Sequence, residues 1–179
     1  MNRGNKYPHG PGSMHPVISQ ALAKPYVRGI RDTSQQVFVL QGKTLIAVAE
    51  DRMVHQITLT TTPCRDESLA KDKGKAIYLG IADHTLCLCC AEDGGQPALK
   101  LEERDIMELY HAPKAEKSFV FYQNANGNSS TFESATYPGW FISSSRENGK
   151  PIRMTKNVAK DNINFYFHTR IEPGMGQIA

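Results

Sequence analysis

A chain of 179 residues with 40% apolar and 22% charged residues has the length and composition of one packed domain, which excludes a disordered or fibrous polymer. No stretch approaches the ~20 apolar residues of a membrane span, so no membrane insertion is expected. Net charge is +3, but residues 1–29 carry Arg3, Lys6, Lys24 and Arg28 with no acid, and the other 17 basic and 18 acidic residues give −1; four dispersed cations do not make a nucleic-acid surface.

In chain order, residues 1–29 are rich in Pro, Gly, His and Ser and lack periodicity. They read as a flexible arm, with order beginning at Ile30. No apolar segment follows Arg3 and Lys6, so no secretory signal is expected and synthesis is cytosolic. Beyond the arm the chain reads as short strands separated by turn signals. Val37-Phe38-Val39-Leu40 turns at Gly42 into Leu45-Ile46-Ala47-Val48. Ile57 to Thr62 alternates as a half-buried strand should, and a polar loop follows from Pro63 to Lys75. Ile77 to Ile81 is a buried strand that turns at Asp83-His84. Leu86 to Ala91 holds Cys87, Cys89 and Cys90, and with Cys64 these read as buried free thiols, since paired C-x-x-C zinc spacing is absent. Ala98 to Leu101 alternates again, and Glu102 to Tyr110 is read as a strand with a short 3₁₀ turn nearby. Phe119 to Tyr122 follows. Phe132 to Ser145 supplies two strands around a Pro138-Gly139 corner, with Trp140 placed for burial. Ile152 to Thr155 and Ile163 to Phe167 close the series.

That makes about twelve strands and almost no helix. The strands starting at Ile77, Phe119 and Ile163 are alike and are spaced by 42 and 44 residues, each reading as the close of a four-strand group. Three such pseudo-repeats describe an all-β chain with a β-trefoil fold, a six-stranded barrel capped by three hairpins, rather than a sandwich. The expected organisation is an arm over 1–29, a trefoil domain over 30–169 and a flexible tail over 170–179.

Chemistry is conspicuous by its scarcity. There is no Gly-rich phosphate loop, H-E-x-x-H or G-x-S-x-G. His55, His84, His111 and His168 have no neighbouring partner in sequence, and Glu102, Glu103 and Asp105 beside Arg104 read as a solvated face. Asn128-Ser129-Ser130 is a glycosylation sequon that stays unmodified without a signal peptide. No enzyme, metal or cofactor is expected; a ligand for another protein is.

The string Phe132-Glu133-Ser134-Ala135, followed by Pro138-Gly139-Trp140-Phe141-Ile142, resembles the signature of the interleukin-1 family of cytokines. Ile77-Tyr78-Leu79-Gly80-Ile81, Gln96 to Leu101, Asp105 to Tyr110 and Asn164-Phe165-Tyr166 are similar to the interleukin-36 branch. The N-terminal region is most like its gamma member, and the signature string is equally like its beta member. The resemblance covers residues 21–169 and implies a β-trefoil, a monomer, and a leaderless cytokine exported unconventionally. It also implies a specific interleukin-36 receptor, recruitment of the interleukin-1 receptor accessory protein, and NF-κB and MAPK signalling.

Agonists of this branch carry an aliphatic-x-Asp motif, and their active form begins nine residues before its aliphatic residue. Here the motif is Ile30-Arg31-Asp32, which implies a cut between Gln20 and Ala21 and a pro-segment over 1–20. The surrounding residues resemble sites used by neutrophil-type or cathepsin-type proteases. By the same resemblance, receptor contacts fall in the mature arm (Ala21, Lys24), at Asp83 and His84, and at Asn157, Lys160 and Asp161. A receptor antagonist of the same branch is the near rival. A heparin- or carbohydrate-binding trefoil is the rival of another class, and it wants clustered Lys and Arg that the linear sequence does not show.

Overall fold

The computed structural model describes residues 24–169. The chain forms strands β1 (Tyr26–Asp32), β2 (Gln36–Gln41), β3 (Thr44–Ala49), β4 (Leu59–Pro63), β5 (Lys75–Ile81), β6 (Leu86–Asp93) and β7 (Gln96–Glu102). A short helix α1 (Ile106–His111) and a 3₁₀ turn (Lys117–Phe119) precede β8 (Val120–Asn126), β9 (Ser129–Ser134), β10 (Phe141–Ser143), β11 (Lys150–Pro151), β12 (Arg153–Thr155) and β13 (Phe165–Thr169).

Six strands pair in a closed ring, β1-β4-β5-β8-β9-β13 and back to β1, all antiparallel. Closure removes the free edges that an open sheet of this size would expose. Three hairpins cap the ring: β2–β3, β6–β7 and β10–β12. Each is tethered by its first strand to a barrel strand, β1 to β2, β5 to β6 and β9 to β10. The β-trefoil with three pseudo-repeats is therefore present, with thirteen strands among the described residues.

The phase of the repeat differs from the sequence reading. The strand at Ile77 opens the second unit, and β4, β8 and β13 close the three units. Two misreadings offset each other in the strand count, and the two-residue β11 brings the total to thirteen. The first concerns β1, which begins at Tyr26, ahead of the Ile30 boundary. It pairs there with β4 (Tyr26 opposite Thr61) and with β13 (Arg28 opposite Thr169). Gly29 disguises this strand, but it is what the pairing needs. It lies opposite His168, and a Cβ at Gly29 would come within 2.1 Å of the imidazole Cε1.

The second concerns Glu102–Tyr110, which ends in a helix. Asp105 caps it, accepting the Met107 N–H at 2.9 Å, and Ile106 and Leu109 lie one turn apart on the buried face. The Asp105–Glu108 spacing is a helix-start signature, and Pro113 ends the run. Six residues are too few to show a helical period, which is why the strand reading prevailed.

The core has two parts. The barrel interior joins Ile30, Phe38, Leu59, Leu79, Phe121, Phe132, Ile142 and Phe165. Within it the Phe38 and Phe165 rings meet edge to face with centroids 5.7 Å apart, and Phe132 lies 5.4 Å from Phe167. Each such pair contributes about 0.5–1.5 kcal/mol beyond area burial. A satellite cluster packs Tyr78, Cys87, Cys89 and Val120 under α1. All four cysteines are free. Burial pushes the Cys87 thiol up to about 12 and the Cys89 thiol up to about 11.

The Phe132–Ser145 stretch is a braced corner. Gly139 has φ +87°, and its N–H donates to Glu133 Oε2 at 2.7 Å. Ser134 Oγ accepts the N–H groups of Thr136 and Tyr137 at 3.1 and 3.0 Å. Trp140 is half-buried rather than enclosed: one side packs on the barrel core, and the Lys156 ammonium stands 5.7 Å from the ring centroid.

Candidate functional site

The residues singled out by sequence fall in three places. Gln20 and Ala21 lie outside the described residues. Ile30 and Asp32 are buried: Ile30 is in the barrel core and Asp32 is 0% exposed. The Asp32 carboxylate organises the turn after β1. Oδ1 accepts the Ser34 and Gln36 N–H groups at 2.9 and 2.8 Å, and Oδ2 accepts Gln36 Nε2 and Ser144 Oγ at 2.7 Å each. Ser144 Oγ in turn accepts Asn162 Nδ2 at 3.0 Å. The motif thus ties β1 to the third unit, and a protease cannot reach either of its named side chains without unfolding the turn.

Lys24, Asp83 and His84 lie along one side of the barrel, in two adjoining depressions beside α1. A groove of about 440 Å³ is lined by Lys24, Pro25, Tyr26, Met107 and Tyr110. A second depression of about 240 Å³ runs on from it, sharing Pro25 and Met107, to Asp83 and His84. Asp83 holds φ +67° in the β5–β6 turn, which projects both side chains into solvent. Along this face Tyr26 is 63% exposed. Arg65 braces the far wall, its guanidinium 4.4 Å from the Tyr110 ring centroid and its Nε donating to the Tyr110 carbonyl at 3.0 Å. Exposed aromatic and apolar side chains framed by charge are what a protein partner's contact centre requires. Sequence reasoning missed Tyr26, Met107 and Tyr110, because the first lay in the supposed arm and the others in the supposed strand.

Asn157, Lys160 and Asp161 sit elsewhere, on the turn between β12 and β13. The Asn157 carbonyl accepts the N–H groups of Lys160 and Asp161 at 3.2 and 3.1 Å. Asp161 is turned inward: Oδ2 accepts Thr155 Oγ1 at 2.5 Å and Oδ1 accepts Arg153 Nη2 at 3.2 Å. The Thr155 hydroxyl first, and Arg153 next, hold its carboxyl below the usual range. Lys160 and Val158 stay exposed. The adjoining cleft of about 490 Å³ gathers Arg146, Lys150, Arg153 and Lys160 with two acids, Glu147 and Asp161. Glu147 pairs with Lys150 at 3.7 Å and Asp161 with Arg153 at 3.2 Å. The fold therefore clusters cations that are scattered along the sequence, and half of them are neutralised on the spot.

No group of His, Cys, Asp and Glu that could hold a metal ion occurs among the described residues, and no helix there is long and apolar enough to cross a membrane.

Residues 55–167 match the family model described as Interleukin-1 / 18. The chain is 46% identical to interleukin-36 alpha of Homo sapiens over 139 residues, 77% of this chain and 88% of that protein. It is 42% identical to interleukin-36 beta of Mus musculus over 157 residues, 87% of this chain and 86% of that protein. An interleukin-36 receptor antagonist protein of Mus musculus is 37% identical over 71% of this chain and 80% of its own length. Among solved structures, that of the pro-inflammatory cytokine interleukin-36alpha superposes with a TM-score of 0.69 at 42% identity, covering 80% of this chain and 94% of that one.

Proposed function

The chain belongs to the interleukin-1 family of cytokines, in its interleukin-36 subfamily, and from that premise we propose that it is an agonist activated by proteolysis. The mature form binds the interleukin-36 receptor and recruits the interleukin-1 receptor accessory protein as a monomer, and NF-κB and MAPK signalling follows. A neutrophil-type or cathepsin-type protease cuts between Gln20 and Ala21 after the chain has left the cell by an unconventional route.

One observation carries this reading. Ile30 and Asp32 fix β1, so the chain before it is delivered at Lys24–Tyr26, beside the exposed face that also holds Asp83 and His84. The position of the cut therefore sets how many residues precede Lys24. Lys24, Tyr26 and His84 are the contacts proposed there, and Asn157 and Lys160 form a second, separate contact. The ligand catalyses nothing; its output is the pairing of two receptor chains.

The test compares the full chain with a form beginning at Ala21 on cells with and without the interleukin-36 receptor. The Ala21 form is expected to activate NF-κB at lower concentration, only in receptor-bearing cells. Equal potency of the two forms removes the processing proposal, and activity without the receptor removes the partner. The similarity to a receptor antagonist supports a second reading. In that case the Ala21 form is silent and displaces a known agonist in competition.

A further inference from the structure

We propose that the open mouth of the barrel is a binding site for a sugar-sized ligand bearing a sulfate or phosphate ester. It adjoins the proposed receptor face, sharing Tyr26, Thr62 and Pro63 with the groove there, but does not rest on that reading. The cavity there measures about 370 Å³, and every one of the six barrel strands contributes to its lining. That volume lies within the range of small-molecule sites, ~300–1,000 Å³.

Both ionisable cations in the lining, Arg28 and Lys75, are without an acidic partner in it or an ion pair among the described residues. Arg28 is nevertheless held in place. Its guanidinium carbon stands 5.1 Å from the Tyr26 ring centroid and 5.8 Å from that of Phe167. Stacking on aromatic faces orients a guanidinium without consuming its N–H donors or cancelling its charge. The result is a pre-oriented fork in a cavity whose lining holds a second cation, and a guanidinium fork of this kind receives a tetrahedral oxyanion in bidentate fashion. Gln123 and Ser130, linked by a hydrogen bond of 3.0 Å, supply amide and hydroxyl groups for the body of the ligand. The cleft beside Lys160 is a weaker candidate, because acids inside it pair two of its four cations.

The full chain is titrated with glucose 6-sulfate and, separately, glucose 6-phosphate, and the amide signals of Gln123 and Ser130 are followed by NMR. At least one ester is expected to give saturable shifts that are absent with glucose alone, and the tighter ester identifies the source of the anion. Arg28→Gln and Lys75→Gln are each expected to weaken binding roughly tenfold or more, since each removes a charge-assisted hydrogen bond. Lys100→Gln, on β7 and paired with Asp93, should leave affinity unchanged. If Arg28→Gln does not fold, Lys75→Gln carries the comparison, because its side chain is exposed. No saturation by either ester at about 10 mM, the weak end of specific binding, overturns the proposal. Unaltered affinity in a folded Lys75→Gln chain overturns it as well.

Discussion

Asp32 gives the sharpest test of how the first strand is anchored. Its carboxylate is 0% exposed and accepts four hydrogen bonds, two from backbone and two from side chains. Hydrogen bonds to a charged acceptor are worth about 1.5–3 kcal/mol each, but four such values do not add, because the donors keep other partners. Gln36 Nε2 retains the Ser145 carbonyl at 2.8 Å, and Ser144 Oγ retains Asn162 Nδ2 at 3.0 Å. The exposed Ser34 N–H can turn to water, which leaves the buried Gln36 N–H as the principal orphan. Asp32→Ala should therefore cost about 2–4 kcal/mol, about 1–3 for the orphaned N–H and about 1 for the net worth of the bonds lost with it.

In a chain of this size each kcal/mol moves the melting temperature by about 2–4 °C, so a cost near 3 kcal/mol lowers it by about 6–12 °C. Asp32→Asn keeps one oxygen for the two backbone donors but presents an NH₂ group where Gln36 and Ser144 also donate. Ser144 can rotate its hydroxyl to accept, and Gln36 cannot serve both neighbours, so about 1–3 kcal/mol is expected. Urea titrations with a common slope measure both variants. A loss below about 1 kcal/mol in Asp32→Ala, or an Asn variant worse than the Ala variant, would refute the assignment of the carboxylate as the anchor.

Three further outcomes follow from the geometry. Gly29→Ala forces a Cβ against the His168 ring and should destabilise by about 1–3 kcal/mol; adding His168→Ala should restore part of the loss, and strict additivity in denaturation would count against the contact. The Asp66 carboxyl is held down to about 2, chiefly by the Ala115 N–H and then by Ser68. Its folded value is depressed below 3.8, so its contribution is present above that pH and is lost as pH falls toward 2; the stability gap between the parent and Asp66→Asn should narrow over that interval and stay flat from pH 5 to 7. Because burial raises the Cys87 and Cys89 thiols to about 12 and 11, a maleimide at pH 8 should label half-exposed Cys64 first and reach Cys87 and Cys89 only on unfolding, as peptide mapping would show.

The fold was legible because most strands advertise themselves. Val37 to Leu40 and Phe119 to Tyr122 are apolar runs between turn residues, and the Pro138-Gly139 corner is marked by its own chemistry. The strand that was missed, β1, owes its shape to partners far along the chain. Nothing local in Tyr26-Val27-Arg28-Gly29 foretells that β4 and β13 will clasp it. The helix at Ile106 announced itself through its cap and not through its period. The site was legible only in parts. Asp83 and His84 could be placed in a turn, but their meeting with Lys24 across α1 depends on barrel closure. Asp161 looked like a free surface charge, and only the fold reveals that Thr155 and Arg153 claim it. The cations of the barrel mouth, Arg28 and Lys75, belong to different strands and come to line one cavity through pairing alone.

The seam between β1 and β13 also governs when the molecule can exist. Arg28 meets Thr169, so the first strand waits for nearly the entire domain to be synthesised before it has its second neighbour. Until then β1 and β9 each present an unpaired edge, the kind of surface that recruits strands from other chains. Pairings so distant in sequence belong to the slow class of folding, on the order of milliseconds to seconds. A nascent chain is therefore vulnerable to aggregation until its final strand emerges. Chaperone occupancy during translation should persist until residues 165–169 have left the ribosome, and fall once they have.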